Sequence, residues 1–74
     1  MKANEAVRKA MEATGTKVAD IAFMTKRKSN VISERLTQDN ISIDKLNEML
    51  RVMNYKIVVM PREVRLPEGG YEVE

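Results

Sequence analysis

Neither a cysteine nor a histidine occurs in this chain of 74 residues, so the fold has to be held by packing, hydrogen bonds and ion pairs alone. Such a length lies near the lower limit at which one hydrophobic core is stable without a disulfide, a metal or a partner subunit. One small core is therefore expected, with oligomerisation favoured from the outset; the apolar C-terminal segment makes a homodimer the expected form. The same two absences remove disulfide frameworks and the common zinc, haem and iron–sulfur sites, along with the usual nucleophile–base pairs. No cofactor or metal is expected, and no enzymatic activity, because carboxylates, lysines and hydroxyls would have to act without an activating partner. The longest apolar runs, such as "IAFM" and "IVVM", have four residues. They are far too short for a membrane span or a signal-peptide core, so a cytoplasmic protein with no membrane partner is expected.

Apolar spacing divides the chain into short helices. Ala3, Ala6, Val7, Ala10 and Met11 share one face of a first helix, and Gly15 is placed to close it in the left-handed conformation. Thr16 is a candidate cap for a second helix whose inward residues are Val18, Ile21, Ala22 and Thr25. The basic stretch "TKRK" ends it. A third helix is expected from about Ser29 to Thr37, capped by Ser29 and anchored by Ile32 and Leu36. After the turn "QDN", Ser42 caps a fourth helix with Ile43, Leu46, Met49, Leu50 and Met53 on its buried stripe, Asp44 in its first turn and Asn54 as its stop.

The third helix carries the functional signal. Two apolar residues hold it inward, while Ser29, Asn30, Ser33, Glu34 and Thr37 can face out. An outward amide at Asn30 can donate and accept together and so match adenine, Glu34 can accept from a cytosine amino group, and the serines bond almost any base. The first 54 residues hold ten lysines and arginines against seven acidic residues, and the basic excess is densest at Lys26-Arg27-Lys28, the entrance to this helix. Three short helices with tight connections, a basic turn and a polar outward face suggest a helix-turn-helix whose third helix enters the major groove.

Here the chain resembles the lambda repressor/Cro-like helix-turn-helix family of small phage and bacterial regulators. The resemblance covers residues 15–57, "GTKVADIAFMTKRKSNVISERLTQDNISIDKLNEMLRVMNYKI", without a gap. Gly15 fits the position before the second helix, Ile21-Ala22 the apolar–alanine pair and Ile32-Ser33 the apolar–serine pair of the reading helix. Two positions depart from the pattern. Val18 stands where a glutamine often contacts phosphate, and Lys26-Arg27 replace the turn glycine and its apolar neighbour. Either Lys26 adopts a left-handed backbone, at about 1 kcal/mol, or the turn differs in shape. The resemblance implies double-stranded DNA as partner, with base contacts from Ser29, Asn30, Ser33, Glu34 and Thr37. It implies phosphate contacts from Lys17, Lys26, Arg27, Lys28 and Asn40, with Arg35 a further candidate.

Beyond Asn54 the pattern changes. "YKIVVM" is β-branched and reads as a strand up to Pro61, and "EVRL" and "YEVE" alternate around "PEGG" as a hairpin would. The expected fold is mainly α: a four-helix, lambda-repressor-like helix-turn-helix core over residues 1–54, followed by a C-terminal β-strand or hairpin over 55–74. A strand with Ile57 and Val59 on one face and Val58 and Met60 on the other leaves one face wet in a monomer, so Tyr55, Ile57, Val58, Val59 and Met60 are the candidate dimer interface. The alternative partner for this segment is another protein, as in an antitoxin that binds its own promoter through the helices.

Overall fold

The computed structural model describes all residues 1–74 and contains four helices and no strand. They are α1 (Ala3–Thr14), α2 (Val18–Thr25), α3 (Ser29–Arg35) and α4 (Ile43–Val52). No helix is long and apolar enough to cross a membrane. α4 packs against both α1 and α2, and α2 packs against α3. Their inward stripes meet in one core in which Val7, Ile21, Ile32 and Met49 are fully buried. A chain this small has few such positions, and truncating any one of them to alanine removes about 2–5 kcal/mol.

Three of the four helices end in the same way. Gly15, Lys26 and Asn54 each take positive φ, at 68°, 58° and 61°. In each case the left-handed residue donates its N–H three residues back, and the following N–H reaches five residues back. Thr16 thus bonds the Met11 carbonyl, Arg27 that of Ala22 at 2.9 Å, and Tyr55 that of Leu50 at 2.9 Å. This pair of bonds satisfies the last free carbonyls of a helix and turns the chain sharply. Lys26 therefore keeps the glycine-type backbone of the turn. Its Cβ makes that conformation unfavourable, so Lys26→Gly is expected to stabilise the fold by about 1 kcal/mol, raising the melting temperature by roughly 4–8 °C. Thermal denaturation followed by circular dichroism checks this.

Several local expectations are corrected. Thr16 does not cap α2: its N–H closes α1 and its hydroxyl bonds Thr14 Oγ1 at 2.7 Å. Lys17 takes the cap position, with its N–H donated to Asp20 Oδ2 at 2.9 Å. Ser29 is the first helical residue of α3, and Lys28 occupies the cap. The helix also stops at Arg35, two residues earlier than its polar pattern suggests. At α4 Ser42 does cap, accepting from the Lys45 N–H at 3.3 Å. Ile43, however, is 65% exposed, while Ile41 is buried in the core with Leu46. An apolar residue just before the cap that packs on the fourth helical residue is a hydrophobic staple, and it takes the inward place.

The largest correction is the tail. Residues 55–74 form neither a strand nor a hairpin. Pro61 and Pro67 open two turns, closed by Val64 N–H to Pro61 O at 3.2 Å and Gly70 N–H to Pro67 O at 3.1 Å. These turns leave arms of only a few residues, and an isolated pair of short strands is marginal in water. The tail is fastened to Met1 and to α1 instead. Glu74 N–H donates to Met1 O at 2.9 Å, the Met1 amino group to Glu72 O at 3.2 Å, and the Tyr71 hydroxyl to Lys9 O at 3.5 Å. The rings of Tyr55 and Tyr71 lie against the core, whereas Val58 and Val59 are 60% and 97% exposed.

Candidate nucleic-acid interface

The spacing of Ile32, Arg35 and Leu36 decides which way α3 faces. These three residues point inward, at 0%, 4% and 2% exposure. Ser29, Asn30, Ser33, Glu34 and Thr37 consequently form an exposed flank that no other part of the chain covers. Thr37 lies just beyond the helix and donates its hydroxyl to the Glu34 carbonyl at 2.7 Å, which leaves it an acceptor only. Seven residues make a rod about 10 Å long, and its width of about 10–12 Å matches a major groove about 12 Å across.

Polar contacts fix the C-terminal end of α3 and the turn that precedes it. The Leu36 carbonyl, at its C-terminal end, accepts from Asn4 Nδ2 and from Arg8 Nη2, each at 3.1 Å, which ties α3 to α1. Arg35 donates through Nη1 to Glu48 Oε1 at 2.8 Å, which ties it to α4. The same carboxylate accepts from Arg27, through Nε to Oε1 at 2.6 Å and Nη2 to Oε2 at 3.0 Å, which ties the turn to α4 as well. Hydrogen bonds from Arg27 and then Arg35 outweigh desolvation and hold the Glu48 carboxyl down to about 2. The carboxylate is therefore charged under any ordinary condition.

Lys17, at the start of α2, Lys26 and Lys28, on either side of Arg27 in the turn before α3, and Asn40, between α3 and α4, are exposed. The structure does not place Arg35 with them. Its side chain is buried and spent on Glu48, so it cannot meet a phosphate. Its spacing on the anchor stripe, three residues after Ile32 and next to Leu36, was the signal for this. Arg27 is exposed, but its bidentate edge is occupied by the same carboxylate. Glu48 itself carries no mark in the sequence, since an acidic residue in the middle of an amphipathic helix reads as solvated surface. Comparison of the chain with protein-family models, with curated proteins and with solved structures gave no match.

Proposed function

We propose that this chain is a sequence-specific, double-stranded DNA-binding regulator of the lambda repressor/Cro-like kind, acting in the cytoplasm as a homodimeric repressor without a cofactor. One observation carries the reading: the hydrophilic flank of a well-anchored α3 is uncovered, and lysines stand at its entrance. Lys17, Lys26, Lys28 and Asn40 contact phosphates and fix the register, while Asn30, Ser29, Ser33, Glu34 and Thr37 meet base edges. Occupancy of an operator then blocks polymerase. A second copy meets the first through the exposed residues Ile57, Val58 and Val59, with Met60 at the margin and Tyr55 turned to its own core. Two reading helices about 34 Å apart then address half-sites one helical turn apart.

Selection of bound duplexes from a random pool tests specificity and symmetry together. Enrichment of an inverted repeat supports the reading, and a pool that stays random overturns it. With the selected duplex in hand, Asn30→Ala is expected to cost about 1–3 kcal/mol on the cognate site and to relax preference at one position per half-site. Lys28→Ala is expected to weaken cognate and random duplexes alike. Equal losses on both duplexes for both variants would refute these roles. The exposure of Val58 and Val59 also favours a second reading, an antitoxin whose apolar tail grips a partner protein. Co-purification with the product of the adjacent reading frame distinguishes the two.

A further inference from the structure

An exposed arginine in the middle of a basic turn should be the strongest phosphate ligand of the three, because its planar fork can take two phosphate oxygens at once. Arg27 has that position, yet its Nε and Nη2 are both engaged by Glu48, and Glu48 also holds the buried Arg35. Two of the guanidinium charges nearest α3 are thus bound to one carboxylate that lies on a different helix. Coulomb attraction to a phosphate has to compete with a bidentate, charge-assisted pair already in place.

We propose that Glu48 is a specificity-determining residue that makes no contact with DNA: it withholds Arg27 from the phosphates and so keeps sequence-independent attraction low relative to base reading by α3. The inference rests on the DNA-binding reading above. On random DNA the protein can settle wherever phosphate contacts are best, whereas on an operator the bases fix its register. A freed Arg27 therefore helps random DNA more than it helps the operator. Phosphate attraction is left to the lysines, which act as point charges and add affinity with little geometric demand.

The test is a salt titration of binding to the selected duplex and to a random-sequence duplex, with four proteins: wild type, Arg27→Ala, Glu48→Gln and the double variant. Arg27→Ala alone is expected to leave the slope of log K against log salt unchanged. Glu48→Gln, whose amide oxygen can still accept from Arg35, is expected to steepen the slope by about 0.9 per protomer. It should also raise affinity for the random duplex roughly tenfold, the size of one added charge-assisted bond, and narrow the ratio between the two duplexes. Adding Arg27→Ala to Glu48→Gln should restore the wild-type slope. A slope that falls with Arg27→Ala as it does with Lys28→Ala overturns the inference, and so does a folded Glu48→Gln protein with unaltered slope and ratio. If Glu48→Gln melts below the assay temperature, Arg27→Ala decides alone, because its side chain is on the surface and Glu48 keeps Arg35. Wild-type protein that binds no duplex at low salt removes the DNA reading itself, a result separate from failure of the variants on a wild type that binds.

Discussion

Glu48→Ala is expected to lower the melting temperature by about 12–24 °C, the equivalent of about 3 kcal/mol in a domain of this size. The loss comes from Arg35, whose side chain is 5% exposed and finds its carboxylate partner in Glu48. Breaking a buried pair from one side strands the other charge in the interior, which costs about 3–5 kcal/mol. The lower end applies because Glu48 is itself one-third exposed. A domain of 74 residues has a total stability of about 4–11 kcal/mol, so the variant keeps only part of its margin. If stranded charge is the cause, Arg35→Met added to Glu48→Ala should recover most of the loss, since the second change removes the unpaired group and keeps an apolar stem. Loss that persists in the double variant would mean that packing of the Glu48 stem, not its charge, was responsible. The pH dependence follows with a definite sign. The carboxyl is held at about 2 in the folded chain against an ordinary 4.5, so its stabilising contribution is complete above about 4.5 and disappears as pH falls towards 2. Glu48→Gln should therefore narrow the difference between melting temperatures measured near pH 6 and near pH 3.

The helices were legible because their signals are local. Apolar residues three and four apart mark one face, and Gly15 and Asn54 are residues for which a left-handed backbone is cheap. The outward flank of α3 was legible for the same reason, as the complement of Ile32 and Leu36. Arg35 is offered as a phosphate contact only by the resemblance: its spacing puts it inside, and only a partner on α4 makes that place tolerable. That partner is 13 residues away, beyond the reach of any helical period. Lys26 shows the converse case, where the surrounding fold imposes a backbone that the residue disfavours, and of the two turn shapes left open by the sequence the structure takes the left-handed one. In the tail the β-branched run of Ile57, Val58 and Val59 expressed a preference, but a strand exists only as one member of a ladder. Within one chain the prolines and the bonds to Met1 and Lys9 leave it without a neighbour.

Binding to a selected duplex is expected to weaken about a thousandfold between 50 and 200 mM salt, the largest effect that the proposed interface implies. Three lysines per protomer, Lys17 at the start of α2 and Lys26 and Lys28 in the turn before α3, are exposed and free of Glu48. A dimer thus neutralises about six phosphates, and each contact contributes about −0.9 to the slope of log K against log salt, giving a slope of about −5.4. A monomer with the same lysines would have a slope of about −2.7 and would lose only about fortyfold over the same range. The slope therefore counts protomers as well as charges, and sedimentation of the free protein gives an independent count. Lys26→Gly, expected to be the more stable protein, should nevertheless bind with a shallower slope, because it relieves the backbone while deleting a phosphate contact. That combination of higher melting temperature and weaker salt dependence is hard to obtain from a change in folding alone. Affinity for duplex that is indifferent to salt would remove the lysines from the interface, and with them the reason for placing the flank of α3 in a groove.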